Sequence, residues 1–295
     1  MVYPGIAGMN TDPERIRTAR LFQGDLDPAC VDLALGSGLV AVRSVKAPNK
    51  TTPNEDGAAV IPVNDSAVVL AVADGVGGAR RGREAAAITL RTLTELVGQA
   101  APDGDSLRSV ILDAVEAANR EVLALGVGAA TTLAVAEISA GQVRSYHVGD
   151  SEIFSVGQRG RLKLSVTPHS PTGFAVEAGL MNEDEALRHD ERHMLSNVVG
   201  TDDMRIEVGT AVALAERDTV LLASDGLVDN LRVDEFVEII RKGPLSAAAD
   251  ELVRCATARM GQETQAHPSK PDDLTVLLYR GTRRPREAGQ GRTGS

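Results

Sequence analysis

The chain has 295 residues, a net charge of -10, 43% hydrophobic and 2% aromatic residues, and no Trp. That length suits one large domain or two small ones, with a core that must rest on Val, Leu, Ile and Ala. The acidic balance excludes sequence-independent binding to nucleic acid or anionic membrane, and no apolar run reaches membrane-span length.

Met1 to about Gly38 has no clear period and predicts an extension with at most a short helix, and Met1 to Gln23 shows no basic-then-apolar signal pattern. Leu39 to Val45 predicts a strand. Gly57 to Val63 and Ser66 to Val72 are apolar runs separated by Asn64-Asp65, a hairpin pattern. Arg80 to Ala100 and Asp105 to Leu125 have helical periodicity. Gly128 to Ile138, Gln142 to Val148, Glu152 to Val156 and Leu162 to Val166 predict strands. Pro168 to Asn197 is polar, carries His169, His189 and His193, and suits a surface flap over a site, with short helical pieces at Thr172 to Ala178 and Glu183 to Arg188. Met204 to Val212 and Thr219 to Ala223 predict strands, Val233 to Lys242 and Pro244 to Met260 helices, and Leu274 to Tyr279 a last strand. Thr282 to Ser295 reads as a disordered basic tail. Cys30 and Cys255 lie far apart, suit a reducing cytoplasm and read as buried small apolar residues. Strands in neighbouring pairs and helices in pairs argue for antiparallel sheets with helices outside, rather than a βαβ repeat.

An odd feature recurs at strand ends. Ala73-Asp74-Gly75-Val76-Gly77-Gly78 follows the apolar run to Val72, placing a carboxylate near the core, where an unpaired charge is costly. Asn54-Glu55-Asp56 precedes a strand, Gly149-Asp150-Ser151 breaks two, Ser224-Asp225-Gly226 follows a third, and Asp272-Asp273 precedes the last. Each alone is equally a turn acid or a helix cap. Gathered together, such acids repel and raise one another's pKa. A hard divalent ion bound by oxygen, magnesium or manganese, relieves this. The chain has neither a cysteine cluster nor zinc-type histidine spacing.

These motifs, taken in order with the Thr131-Thr132 strand and closed by Asp272-Asp273-Leu274-Thr275, resemble the metal-dependent serine/threonine protein phosphatases of type 2C, in their bacterial form. The resemblance spans roughly Val40 to Arg280. It implies an α+β fold, a four-layer α-β-β-α sandwich of two antiparallel sheets flanked by helix pairs. The domain boundaries it suggests are an extension at 1–37, a phosphatase domain at 38–281 with its flap at about 168–203, and a tail at 282–295. It implies a binuclear centre of Mn2+ or Mg2+ with Asp74 as bridge, the Gly75 carbonyl, Asp225 and Asp272 as further ligands, Glu55 and Asp56 acting through water, and Asp150 at a third ion. The implied reaction is hydrolysis of phosphoserine or phosphothreonine in proteins by a metal-bridging water, with no covalent intermediate, so Ser224 and Ser151 are structural. The implied setting is a cytoplasmic monomer in signalling.

Two departures stand out. The family's phosphate-holding Arg before Asn-Glu-Asp is replaced by Thr51, leaving Lys50 as the substrate-binding candidate and Arg43 further back. The family's occasional Asp-Gly-His reads Asp-Gly-Val76. These departures and Asp273, where Asn is usual, motivate an alternative: a pseudophosphatase serving as a binding or scaffold module. His169 is read as a surface or locally bonded histidine, or one that touches substrate, and His147 as packed and hydrogen-bonded.

Overall fold

The computed structural model describes residues 13–23, 29–76, 81–99, 106–261 and 269–282. The strands β1 (Glu14–Arg15), β2 (Arg20–Gln23) and β3 (Ala29–Ala34) precede the longer β4 (Gly38–Val45), β5 (Asp56–Asn64) and β6 (Ala67–Asp74). Helices α1 (Gly82–Gln99) and α2 (Ser106–Leu123) follow, then β7 (Leu133–Ser139), β8 (Gln142–Val148), β9 (Glu152–Val156) and β10 (Leu162–Ser165). Next come α3 (Pro171–Glu177), α4 (Glu183–Ala186), β11 (Glu207–Val208), β12 (Val212–Ala213) and β13 (Thr219–Ala223). Helices α5 (Asp225–Val228), α6 (Val233–Ile240) and α7 (Leu245–Met260) and strand β14 (Leu274–Gly281) complete the order.

One sheet runs β1-β3-β4-β14-β13-β9-β10, the other β11-β8-β7-β6-β5-β2, with β12 also on β8. Apart from the parallel pair β1–β3, the ladders are antiparallel. Period-two alternation explains why the long strands read as unbroken apolar runs: both faces of each sheet are covered. In β6, Val68, Leu70 and Val72 enter the layer between the sheets, while Val69, Ala71 and Ala73 meet α1 and α2. In β13, Val220 and Leu222 join the central layer, while Leu221 and Ala223 pack towards α6 and α7. The result is the expected α-β-β-α sandwich.

The N-terminal reading is corrected by this arrangement. In place of a short helix, β3 pairs along β4 and β2 adds an edge to β5. The apolar pattern of β3 is interrupted by Asp32, which ion-pairs with Arg43 at 3.0 Å; Arg43 also holds Asp250 at 2.6 Å and is 4% exposed. The predicted strand from Met204 to Val212 is two short ones. It breaks at Gly209, where a Cβ would lie 2.2 Å from Ser145 Oγ. Cys30 is exposed and Cys255 half-buried, so neither is a core residue. Most of the tail expected at 282–295 and the predicted helix start at Asp105 lie outside the described residues. Among the described residues, no helix is long and apolar enough to cross a membrane.

Candidate metal centre

Antiparallel pairing brings distant parts of the chain to one end of the sandwich. Asp56 opens β5 directly opposite Asp74, which closes β6. Strand β13 runs between β14 and β9, with Ala223 opposite both Val276 and Glu152. The segments Ser224-Asp225, Asp272-Asp273 and Asp150-Ser151, which flank these residues, therefore meet at the same end.

The backbone around each acid is fixed. The Asp74 carbonyl accepts from Thr132 N at 2.8 Å and from Thr131 Oγ1 at 2.7 Å, and Asp74 N donates to Thr132 Oγ1 at 3.1 Å. A Cβ on Gly75 would stand 2.4 Å from the carbonyl carbon of Gly82, so only glycine lets the start of α1 pack against this turn. A Cβ on Gly226 would stand 2.0 Å from Asp273 O, which is why the chain after Asp225 lies so tightly on the Asp272-Asp273 segment. Ser224 Oγ donates to Asp56 Oδ2 at 2.7 Å, a polar link from one sheet to the other, and accepts from Thr275 N at 2.9 Å.

The electrostatics follow from this convergence. Asp74 is held well above the usual carboxylate range by desolvation and then by Asp56, Asp225, Asp150 and Asp272. Desolvation followed by Asp225 and Asp229 does the same to Asp150. Desolvation likewise leads the upward shifts of Asp225 and Asp272, each opposed by Lys270. Asp56 is pushed up to about 7, first by burial. Asp56 Oδ1 and Asp225 Oδ1 are buried with no hydrogen-bond partner among the described residues. Unsatisfied buried carboxylate oxygens are costly. An all-oxygen set with open lone pairs fits a hard divalent ion, and the residues present therefore suit Mg2+ or Mn2+.

The fold thus brings together Asp56, Asp74, Asp150, Asp225 and Asp272, with Glu55 one residue before the strand. Lys50, the substrate-binding candidate, lies within an ion-pair network. Its ammonium is paired with Asp273 Oδ2 at 2.6 Å and Glu55 Oε2 at 2.8 Å, so its charge is already balanced. Asp273 is 2% exposed and also accepts from Ala47 N and Glu55 N, so it braces the loop that carries Glu55. Arg43, fixed by Asp32 and Asp250, is likewise engaged elsewhere. Sequence reasoning missed Lys270, which reaches Asp225, Asp229 and Asp272, and the fully buried Asn230 beside it. The Thr131-Thr132 clamp had only the motif itself as a signal.

His169 is buried rather than at the surface, being 5% exposed. Its Nδ1 accepts from Gly149 N at 3.1 Å and from Asn197 Nδ2 at 2.9 Å, tying the flap to the residue before Asp150. Its ring stacks on His147, with centroids 4.3 Å apart, and His147 Nε2 bonds the Thr167 carbonyl at 3.0 Å. His147, His169 and Glu207 bring possible ligand atoms within 4.8 Å of one another. The donor from Gly149 makes Nδ1 of His169 the acceptor, so Nε2 carries the proton and donates to Glu207 at 3.2 Å. With its lone pair already used, His169 acts in this trio as a flap anchor. A cavity of about 280 Å³ lies between flap and sandwich, lined by Asp150, Asp225 and Asp229 and by Pro168, Val176 and Leu187.

The family model for protein phosphatase 2C matches residues 46–263. The serine/threonine phosphatase stp of Listeria monocytogenes serotype 4b (strain F2365) is 28% identical over 235 residues, covering 76% of this chain and 89% of that protein. The crystal structure of the Mycobacterium tuberculosis serine/threonine phosphatase PstP/Ppp superposes with a TM-score of 0.69 at 25% identity, covering 83% of this chain and 98% of the other. A PstP catalytic domain in complex with two manganese ions shares the fold, with a TM-score of 0.68 at 24% identity over 83% of this chain and 98% of the other.

Proposed function

The chain belongs to the protein phosphatase 2C family, and from that premise we propose that it is a metal-dependent serine/threonine protein phosphatase whose centre is the acid cluster at the strand ends. Asp74, the Gly75 carbonyl, Asp225 and Asp272 would hold two Mg2+ or Mn2+ ions, Glu55 and Asp56 would act through water, and Asp150 would serve a third ion. Such ions supply Lewis acidity at the phosphoryl oxygens and an activated water at neutral pH. The observation that carries this reading is the pair of orphaned oxygens, Asp56 Oδ1 and Asp225 Oδ1, inside a knot of mutually repelling carboxylates.

The chain's own residues support a route without a covalent enzyme intermediate. Ser224 Oγ is held between Asp56 Oδ2 and Thr275 N, and Ser151 Oγ is bonded to Thr132 Oγ1 at 2.6 Å; both residues are fully buried, so neither hydroxyl is open to attack a substrate phosphorus. The Thr131-Thr132 clamp and the Gly226 contact orient Asp74 and Asp225. The flap, anchored through His169, bounds the cavity beside Asp150 and Asp225, a suitable place for a phosphorylated segment of a protein substrate. Nothing in the centre favours the pseudophosphatase alternative, because a scaffold has no physical reason to gather more buried acids than Lys270 alone can balance.

The deciding experiment is release of phosphate from a phosphothreonine peptide with and without Mn2+. Metal-stimulated turnover is expected, and Asp74→Asn is expected to lower it by more than about a hundredfold. Absence of any metal-stimulated turnover by the wild-type protein would sink the assignment.

A further inference from the structure

Lys270 is built into the structure. Its N–H donates to Asn230 Oδ1 at 2.9 Å, and its carbonyl accepts from Asn230 Nδ2 at 2.8 Å, so one buried amide grips the peptide from both sides. Asn230 is itself held through its carbonyl by Arg259 Nη1 at 2.8 Å. The preceding residue, Ser269, donates its hydroxyl to Arg259 O at 2.9 Å and accepts at its carbonyl from Arg192 Nη2 at 3.0 Å.

From this fixed loop the side chain, 20% exposed, enters the acid cluster. Its ammonium bonds Asp225 Oδ2 and lies 3.0 Å from Asp229 Oδ2 and 3.3 Å from Asp272 Oδ2. Three carboxylates thus surround one ammonium, which donates to Asp225 and pairs by charge with the other two. Burial works against the charge, but Asp225, Asp229 and Asp272 overcome it and hold the ammonium protonated above the ordinary lysine range. Two of these three carboxylates, Asp225 and Asp272, are the proposed metal ligands.

We propose that Lys270 is a built-in counter-ion of the centre, which a divalent ion must displace from Asp225 and Asp272, and that it thereby sets the metal affinity of this chain. The inference rests on the metal-centre reading above. An ammonium and a divalent ion compete for the same oxygens. The divalent ion has the larger charge, but it meets acids already partly neutralised and so gains less on binding. The flexible four-carbon stem lets the ammonium withdraw while Asn230 keeps its backbone in place.

The test is calorimetric titration of the full chain, stripped by chelator, with MnCl2. Lys270→Gln and Lys270→Met are expected to bind Mn2+ about tenfold more tightly than wild type, while Lys270→Arg, which keeps the charge, is expected to bind as wild type does. In EDTA the Gln variant is expected to melt below wild type, with a larger rise on adding Mn2+. Should Gln or Met lower the metal-free fold too far for titration, affinity is read instead by competition of the metal-loaded protein against a chelating dye. Equal or weaker Mn2+ binding by the Gln and Met variants overturns the proposal, as does an Arg variant that binds as tightly as they do. A wild-type protein that takes up no Mn2+ defeats the metal-centre reading itself.

Discussion

Asp56 and Asp74 face one another across β5 and β6 at the edge of the central layer. Like charges directly opposed destabilise a strand pair, and Asp56 is also 3% exposed. Its carboxyl is pushed up to about 7 by burial, against hydrogen bonds from Ser224 and Thr275 and together with Asp273 and Asp225. Folding therefore favours its protonated form. The contribution is complete below the unfolded value of about 4 and is lost as pH rises through about 7. In EDTA, the melting temperature of wild type is expected to fall behind that of Asp56→Asn as pH rises from about 5 to about 8. A gap that does not change with pH would show that this carboxyl is not strained by its surroundings.

The ion pairs of Lys50 make a different prediction from a phosphate grip. Lys50→Ala leaves the buried Asp273 without its cation and is expected to cost about 2–3 kcal/mol, read by chemical denaturation. The KM for a phosphopeptide is expected to change little. A raised KM with unchanged stability would restore Lys50 as a substrate contact.

Gly226 and Gly98 form a matched pair. Gly226→Ala forces a Cβ against Asp273 O, backbone that cannot swing aside, and is expected to cost about 2 kcal/mol or more and to weaken Mn2+ binding. Gly98 lies in α1 with nothing within 4 Å of its added Cβ, so Gly98→Ala is expected to stabilise by about 0.5 kcal/mol without affecting metal. Equal effects from the two substitutions would show that the close approach at Gly226 does not shape the centre.

The long strands were legible because each is buried on two faces, which leaves an unbroken run of Val, Leu and Ala in β6 and β13. The acids were legible for the opposite reason: Asp74 and Asp225 stand where such runs end, and a charge there is out of place. What could not be read was whatever depended on a distant partner. Asp32 in β3 looks like a loop residue until Arg43 is beside it. Lys270, between Ser269 and Pro271, has no local pattern, and its meaning comes from Asn230 and Asp225, 40 and 45 positions away. Lys50 was noticed by its place before Asn54-Glu55-Asp56, but its pairing with Asp273 comes from the far end of the domain.

The opposite end of the sandwich is made differently. There β5 turns into β6 at Asp65-Ser66, and β7 into β8 at Ala140-Gly141, each joining neighbours in both sequence and sheet. No carboxylate of the centre depends on those two hairpin tips. A fluorophore or an affinity tag introduced at Ala140-Gly141 would sit at the remote pole, making it a natural handle for immobilising the protein with its working face towards solution.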